Sequence, residues 1–313
     1  MKKFAKILSI FAVFALAFSF AGCSSDDDDS SDDVTINGSG SGGTSSRIPE
    51  NFVKIPAVSI TGTESWTPKS EIFISGRKLE VASFYMSDHE VTRGEYKTVM
   101  GSDPSEADAY DKDGNELTGD DNVKNNPVNN INWYDALVYC NTLSIKENLT
   151  PCYSIDGKTD PSEWGTVPAS SDSKWNAATC AFTASGYRLP TEAEWEWAAR
   201  GGESYTYAGS NTIDEVAWYN GNANGGTRDV KTRKKNGYGL YDMCGNVWEW
   251  CWDKYGDISS DTADTGSASG VNRVRRGGSW NGYADFAQVA HLDNREPYYR
   301  VSNSGFRVVR TTK

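Results

Sequence analysis

Hydrophobic and polar positions divide this chain into three unequal zones. A mainly apolar run, Ile7–Phe20, follows three lysines near the amino terminus. Residues 24–51 are dominated by Ser, Asp and Gly and contain few large apolar side chains. From Phe52 onward, short apolar groups recur to the end of the chain. This pattern predicts one folded domain over residues 52–313, preceded by a flexible tether over residues 24–51 and a leader over residues 1–23.

Three stretches of the domain carry the start signals of helices. Thr92–Glu95 and Thr191–Glu194 are capping boxes, in which two side chains satisfy free backbone donors. Asn132 is a third N-cap candidate, because Trp133–Asn148 follows it with apolar residues on one face. The glycine pair Gly201-Gly202 is expected to end the last of these helices.

Other short apolar segments favour strands. Val53–Ile60 and Ile72–Ile74 are typical of strands, and Pro151–Gly157 with Thr179–Phe182 is typical of a hairpin. Ser102–Asn126 is polar and acidic, and we therefore expect a solvated loop there.

The last apolar segments enclose a stretch without a regular period. Gly277–Trp280 and Gly305–Val309 combine glycines with apolar residues. This combination is typical of a buried framework in which the backbone passes close to other atoms. Between them, residues 281–303 mix Asn, Gly, Tyr, Asp, Phe, His, Arg and Ser without helical or strand periodicity. Long aperiodic segments are functional loops or disordered ones, and the aromatic content argues against disorder. We expect a functional loop on a fixed framework.

The leader has the features of bacterial export. The junction Phe20-Ala21-Gly22-Cys23 resembles a lipobox, in which the cysteine is lipidated and becomes the first mature residue. The alternatives are an ordinary signal peptide and a transmembrane anchor, although a spanning helix needs about 18 or more apolar residues. Lipidation of Cys23 implies attachment to a bacterial membrane, with the tether allowing display at the outer surface.

Charge and histidine content exclude several functional classes. The net charge of −12 argues against nucleic acid as a partner, because nucleic acid requires a basic surface. The two histidines, His89 and His291, are too few for a three-histidine metal site. The sequence also contains no HExxH motif, nucleophile elbow, phosphate loop or dinucleotide fingerprint.

The cysteines that follow Cys23 are five, an odd number for an exported protein. Cys152 and Cys180 are the one disulfide candidate, because the predicted hairpin brings them near each other. The alternative is that both are buried free thiols.

Four motifs together resemble the formylglycine-generating enzyme (sulfatase-modifying factor) family. In the family's order, they are YMSDHEVTRGEY at 85–96, GYRLPTEAEWEWAARGG at 186–202, NGYGLYDMCGNVWEW at 236–250, and RVRRGGSW at 273–280 with GFRVVR at 305–310. The resemblance implies an α+β fold, a single C-type lectin-like domain with small antiparallel sheets, two main helices and much irregular structure. Function does not follow from the fold alone.

The resemblance also locates the chemistry of the family. Its enzymes oxidise a substrate cysteine with two cysteines of their own, at positions that correspond to Gly282 and Ala287. Neither residue supplies a thiolate, binds copper or forms a redox pair. We therefore expect no catalysis and no catalytic cofactor.

The same resemblance implies a structural calcium ion. Asp242, Gly245, Val247 and Glu249 correspond to the calcium ligands of the family, two of them through backbone carbonyls. Oxygen ligands of this kind suit calcium. The alternative is that the neighbouring tryptophans are core residues and the acids are merely solvated.

Residues 281–303 resemble a narrower group, the variable proteins of diversity-generating retroelements. In that group, asparagine codons of a template are randomised at their adenines. AAC and AAT then yield Asn, Asp, Gly, Ser, Tyr, Phe, His, Arg and Val, but not Lys, Gln, Glu, Met or Trp. Gln288 and Glu296 are therefore expected to be fixed. The resemblance implies these ligand-binding positions: Gly282, Tyr283, Asp285, Phe286, His291, Asp293, Asn294, Arg295, Tyr298, Tyr299, Val301, Ser302 and Asn303.

Two function hypotheses follow. The first is a surface-displayed lipoprotein that binds a protein or another surface molecule, and the membrane through its lipid, without catalysis. Its Tyr, Ser, Gly and Asn content is typical of antibody paratopes. The second is an exported enzyme of the family with altered chemistry, whose segment is an ordinary surface loop. The first hypothesis predicts an exposed segment above a buried framework that includes Trp280, Val289, Ala290 and Phe306.

Overall fold

The computed structural model describes residues 49–312, and the predicted leader, Cys23 and nearly all of the tether lie outside the described residues. The α-helices within this range are α1 (Arg93–Met100), α2 (Asp120–Val123), α3 (Trp133–Lys146), α4 (Ser173–Asn176), α5 (Glu192–Arg200) and α6 (Ile213–Val216). Two 3₁₀ helices are Pro161–Glu163 and Ala284–Ala287.

The strands are short. They are β1 (Phe52–Ile55), β2 (Val58–Ile60), β3 (Leu79–Val81), β4 (Phe84–Ser87), β5 (Ala109–Tyr110), β6 (Glu116–Leu117), β7 (Tyr153–Ser154), β8 (Thr179–Cys180), β9 (Tyr187–Arg188), β10 (Thr227–Arg228), β11 (Trp248–Lys254), β12 (Arg273–Arg276), β13 (Leu292–Arg295), β14 (Ser304–Gly305) and β15 (Val309–Thr311).

Two four-stranded sheets form the frame of the domain. The first has the strand order β1-β4-β15-β9, so that the last strand of the chain lies between β4 and β9. The second has the order β13-β12-β11-β14, with β11 antiparallel to β12 and parallel to β14. Smaller sheets are β10-β5-β6, β2-β3 and β7-β8. With α3 and α5 as the two longest helices, the implied α+β fold with small sheets is confirmed.

The three predicted helices begin where their capping boxes place them. The side chains of Thr92, Asn132 and Thr191 each accept a hydrogen bond from the backbone N–H of the third helical residue. The carboxylate of that third residue accepts one from the backbone N–H of the capping residue. α5 ends at Gly201, whose left-handed conformation a glycine adopts without strain. α3 ends two residues before the predicted Asn148, which itself has a positive φ of 57°.

Buried side chains form two hydrophobic clusters. Phe84 and Trp195 belong to the first cluster, and Phe306 belongs to the second. β11 contributes Cys251 to the first and Trp250 to the second, because successive side chains of a strand point to opposite faces. The second sheet therefore lies between the two clusters and contacts both. Within the described residues, no helix combines the length and apolar character needed to cross a membrane.

Two predictions of local structure were wrong. Ile72–Ile74 is a turn, because the Ser70 hydroxyl accepts hydrogen bonds from Ile72 N and Phe73 N and curls the chain. Both apolar side chains are nevertheless buried. Ser102–Asn126 was predicted to be a loop, but it contains β5, β6 and α2. These elements are too short to produce a period in the sequence.

The predicted disulfide between Cys152 and Cys180 is absent, and both residues are free thiols. The hairpin pairing itself is confirmed, with Tyr153 opposite Cys180. Side chains alternate along a strand, so Cys152 points to the face opposite that of Tyr153 and Cys180. Burial raises the pKa of Cys152 to about 11. The alternative of free thiols is therefore correct, with Cys152 buried as predicted and Cys180 half-buried.

Gly278 provides a test of the framework. Its φ is 80°, and a Cβ there would lie 3.0 Å from Ala287 Cα, whereas Gly101 has a φ of 84° and no atom within 4 Å. We expect Gly101→Ala to lower the free energy of unfolding by about 1 kcal/mol through backbone strain alone. Gly278→Ala should lower it by about 2–4 kcal/mol, because overpacking is added. Urea denaturation measures both, and equal losses would contradict the proposed contact.

Candidate ligand-binding surface

Tight backbone contacts fix both ends of the segment 281–303. At the amino end, Gly278 packs directly against Ala287. A Cβ added to Gly278 would lie only 3.0 Å from Ala287 Cα. At the carboxyl end, a Cβ on Gly305 would lie only 2.3 Å from the carbonyl oxygen of Val128. No side chain fits at Gly305 without moving the backbone. The prediction of a glycine-dependent framework is confirmed.

Arg276 of β12 holds the middle of the segment from below. Its fully buried guanidinium donates hydrogen bonds to the carbonyl oxygens of Val289 (3.1 Å), Ala290 (3.0 Å) and His291 (2.5 Å). The same group pairs with Glu196 of α5 at 2.5 Å. Because Arg276 binds main-chain oxygens, its hold does not depend on the side chains that these positions carry.

Arg275 binds the segment at two further points. Its guanidinium forms a salt bridge with Asp293 of β13 and donates a hydrogen bond to the Ser304 hydroxyl of β14. It also lies 5.5 Å from the ring centroids of Trp248 and Trp250. Burial lowers the pKa of Arg275, and the Asp293 carboxylate opposes that shift. This arginine therefore joins the two edge strands of the second sheet.

A buried ion pair fixes the chain immediately after the segment. Arg307 donates to both carboxylate oxygens of Glu249, at 2.6 and 2.7 Å, and all of these atoms are buried. Trp195 Nε1 donates to the same carboxylate at 2.6 Å. Further bonds from Arg307 reach the carbonyl oxygens of Ser87 and Tyr241. The pair thus connects β11, α5 and the carboxyl end of the segment.

Above these anchors lies an open cavity of about 220 Å³. Its lining residues are Trp248, Ser279, Asn281, Gly282, Phe286, His291, Asp293 and Asn303. Five of the predicted ligand-binding positions therefore meet around one cavity: Gly282, Phe286, His291, Asp293 and Asn303.

Aromatic rings form one side of this cavity. The Trp248 ring centroid lies 6.5 Å from Phe286 and 6.0 Å from His291, and Phe286 and His291 are 5.1 Å apart. Tyr283 extends the group outward, 6.2 Å from Phe286. Burial, followed by the nearby Arg276 charge, lowers the pKa of His291. The imidazole is therefore neutral near pH 7, and this wall offers stacking surfaces rather than a positive charge.

Amide and hydroxyl groups form the other side. The Asn281 side-chain oxygen accepts hydrogen bonds from the Ser279 hydroxyl (2.8 Å) and from Asn303 Nδ2 (2.9 Å). These bonds join the two ends of the segment across the cavity. The cavity can therefore bind a ligand that combines an apolar group with hydrogen-bonding groups.

A second group of predicted positions lies around Tyr299. The rings of Tyr298 and Tyr299 are 5.5 Å apart, and the Arg295 guanidinium lies 4.8 Å from the Tyr299 ring. Beside them, Arg300 pairs with Asp135 at 2.7 Å, which ties this turn to α3. The group presents a cation and aromatic surface on a turn whose backbone is anchored.

The remaining positions contact the framework through other bonds. Asn294 accepts a hydrogen bond from Asn272 at 2.7 Å. The Ser302 carbonyl oxygen accepts one from Trp280 Nε1 at 3.2 Å, and the Val301 carbonyl oxygen accepts one from Asn130 N at 3.1 Å. Asp285 is exposed within the 3₁₀ helix Ala284–Ala287.

The predicted division into exposed segment and buried framework holds in part. Of the thirteen predicted ligand-binding positions, four are exposed, eight are half-buried and Gly282 is buried. Tyr283, Phe286 and Tyr299 are 70%, 39% and 42% exposed, whereas the predicted framework residues Val289, Ala290 and Phe306 are buried. Gly282, predicted to be exposed, is buried because Asn220 N and the Ser279 carbonyl bind its backbone. Trp280, predicted to be buried, is half-buried, since its indole lies over Ser302.

Three cavity residues were missed from the sequence. Ser279 and Asn281 border the predicted positions and were assigned to the framework or left unassigned. Trp248 was considered only as a possible core residue. The alternation Trp248-Glu249-Trp250 indicates that both tryptophans share one strand face, and the end of the strand is where such a ring can reach a surface cavity.

A sequence model described as the sulfatase-modifying factor enzyme 1-like domain matches residues 46–312. The chain belongs to this family. Its relatives include a protein named chaperone protein LppX from Paenibacillus barcinonensis, which is 34% identical over 258 residues, covering 76% of this chain and 83% of the relative. The formylglycine-generating enzyme of Streptomyces coelicolor is 37% identical over 155 residues, covering 42% of this chain and 49% of the enzyme.

One solved structure is similar to this chain in both sequence and fold. Treponema denticola variable protein 1 is 37% identical, with a TM-score of 0.73 over 83% of this chain and 95% of that chain. This similarity supports the resemblance to variable proteins that residues 281–303 indicate.

The predicted calcium loop has a partial fit to a cation. Asp242 Oδ2 accepts a hydrogen bond from Lys231 N, and its other oxygen is buried without a partner in the described residues. The Glu249 carboxylate, however, is neutralised by Arg307 and accepts a hydrogen bond from Trp195. Within residues 49–312, no three His, Cys, Asp or Glu side chains are grouped to hold a metal. Glu249 thus fits an ion pair better than a calcium site, and calcium at this loop stays a prediction.

The exposure of the segment predicts a contrast in stability. We expect the double variant Tyr283→Ala/Tyr299→Ala to change the free energy of unfolding by no more than about 1 kcal/mol, because surface substitutions have small effects. The matched control Phe306→Ala removes a fully buried ring and should cost about 3–5 kcal/mol. Urea denaturation measures both. A loss of several kcal/mol in the double variant would show that these tyrosines are core residues.

Proposed function

We propose that this protein is a lipid-anchored, surface-displayed binding protein whose recognition surface is residues 281–303, without catalysis. The observation that carries the proposal is the separation of roles within this segment. At the predicted positions, five residues line an open cavity, Tyr283, Asp285, Phe286 and Tyr299 are exposed, and the others are half-buried. The backbone of the segment is held by Arg276 and by Gly278 and Gly305. Side chains can be exchanged freely only where the core does not depend on their shape.

The absence of catalysis is supported by the chemistry of the cavity. Gly282 lies in its wall and Ala287 is buried beside it, at the positions that correspond to the catalytic cysteines of the enzymes. Among residues 49–312, none of the residues that line the cavity is a cysteine. Burial raises the pKa of the Cys244 thiol to about 12, which keeps it protonated near pH 7.

Retroelement diversification is supported by two features. Each predicted ligand-binding residue is reachable from an asparagine codon randomised at its adenines, as the resemblance implies. The 37% identity to Treponema denticola variable protein 1 extends across most of both chains. The lipobox-like junction at Cys23 and the tether support display from a membrane. The ligand in this proposal is a protein or another surface molecule.

Sequence variation within a population tests this proposal without knowledge of the ligand. We expect reads of the coding region for residues 276–310 to vary at the predicted ligand-binding positions and to be constant at Arg276, Val289, Ala290 and Phe306. The region encoding α3 is the matched control and should not vary. A nearby reverse transcriptase gene with an adenine-rich near-copy of the segment should accompany the variation. Uniform reads, or substitutions spread evenly over both regions, would contradict diversification.

The second candidate, an enzyme with altered chemistry, is favoured by the similarity to formylglycine-generating enzymes. A direct assay separates the candidates. We expect the purified full-length chain to leave a cysteine-containing sulfatase peptide unchanged, with or without copper, because no thiol lines the cavity. The Streptomyces coelicolor enzyme is the positive control. Detection of the aldehyde product by mass spectrometry would favour the enzyme.

A further inference from the structure

One edge of the second sheet runs through the recognition segment itself. β13 pairs with β12 on one side and is the outermost strand of the order β13-β12-β11-β14. Edge strands present main-chain N–H and C=O groups that another extended chain can bind. The direction of each group decides which residues of β13 offer them.

Along a strand, the main-chain N–H and C=O groups of successive residues point alternately to the two sides. The neighbouring strand β12 shows which of its residues point toward β13. The Asn272 carbonyl oxygen accepts a hydrogen bond from Tyr255 N at 2.9 Å, so the polar main-chain groups of Asn272 point toward β11. These groups alternate in direction along a strand. Arg273 and Arg275 therefore direct their N–H and C=O groups toward β13.

The pairing of β12 with β13 then shows which residues of β13 point toward β12. Arg295 and Asp293 lie opposite those two arginines, and they exchange main-chain hydrogen bonds with them. Leu292 and Asn294 consequently direct their N–H and C=O groups away from β12. Among residues 49–312, no group outside β12 forms a hydrogen bond with the main chain of Leu292 or Asn294. Four polar main-chain groups thus face outward, repeated every second residue.

The side chains next to this edge fit a peptide. Asp293 and Arg295 share the strand face that carries the cavity, because His291 and Asp293 both line it. The half-buried Arg295 carries its guanidinium over the Tyr299 ring, at 4.8 Å from the ring centroid. A cation of this kind complements a carboxylate. An extended chain at the edge would have its alternate side chains directed toward the cavity and Arg295.

We propose that the outer edge of β13 binds an extended segment of a partner protein as an added strand, through the N–H and C=O groups of Leu292 and Asn294. One side chain of that segment enters the cavity beside Phe286, and an acidic side chain pairs with Arg295. The inference rests on the proposed function, because it names the class of partner for the same surface.

Strand addition suits a surface whose side chains change. Main-chain hydrogen bonds supply binding that does not depend on the side chains of either partner, whereas pockets for alternate side chains supply selectivity. In this arrangement β13 contributes the constant part of the interaction. The variable side chains around the cavity and Tyr299 then select among sequences. A glycan lacks the regular alternation of donors and acceptors that this edge requires.

The test uses random linear peptides displayed on phage and selected on the purified full-length chain. Selected peptides are synthesised and their affinities measured by fluorescence polarisation. Asn294→Pro removes the outward N–H at an edge position that tolerates proline, while Asn294→Ala removes only the side chain. We expect Asn294→Pro to bind about tenfold or more weakly than Asn294→Ala, because main-chain bonds are lost. Backbone N-methylation of the peptide should weaken binding at every second residue.

Each contrary result has a distinct meaning. Equal binding by the two Asn294 variants, an N-methylation profile without a two-residue period, or the absence of any selected peptide would overturn strand addition. If Asn294→Pro fails to fold, the N-methylation profile on the unaltered chain decides. If the unaltered chain self-associates and Asn294→Pro abolishes that association, the edge of β13 binds a second copy of this chain. That result would contradict the proposal of a peptide from a partner protein. If Tyr283→Ala/Tyr299→Ala weakens peptide binding while Asn294→Pro does not, strand addition fails and the proposed function stands. If neither variant weakens peptide binding, both strand addition and the proposed function fail.

Discussion

The ion pair between Glu249 and Arg307 is the interaction on which the recognition surface depends. It joins the central strand β11 to the chain that returns from the segment, and Trp195 attaches it to α5. Removing one partner of a buried pair leaves an uncompensated charge, at a cost of about 3–5 kcal/mol. The carboxyl end of the segment is thereby fixed, because Arg307 must stay paired with the buried Glu249 carboxylate. This pairing sets the positions of β14 and β15, which lie on either side of Arg307.

The other anchors act on backbone rather than on side chains. Arg276 binds three carbonyl oxygens, and Gly278 and Gly305 leave no space for a Cβ. Such contacts specify the course of a chain while leaving its side chains free. This explains how 23 residues without helical or strand periodicity, 281–303, adopt one conformation. The donors that fix the backbone lie beneath the surface, and the side chains proposed to bind ligand lie above them.

Much of the fold was predictable because its signals are local or carried by long motifs. The capping boxes at Thr92, Asn132 and Thr191 each fix a helix start within four residues. The topology came only from the family resemblance, since pairings such as β4 with β15 join residues more than 200 positions apart. The burial of Gly282 and the role of Trp248 were not predictable, because both depend on distant partners, Asn220 in the first case and the segment itself in the second.

Arg275 has a consequence for the proposed diversification of this segment. Its buried guanidinium is balanced by the carboxylate of Asp293, which is one of the predicted variable positions. If another residue occupied position 293, the arginine would lose its counter-charge and keep only the Ser304 hydroxyl and the faces of Trp248 and Trp250 as partners. Under that proposal, variants would differ in stability before they met any ligand. Folding would then act as a first round of selection that favours acidic residues at position 293.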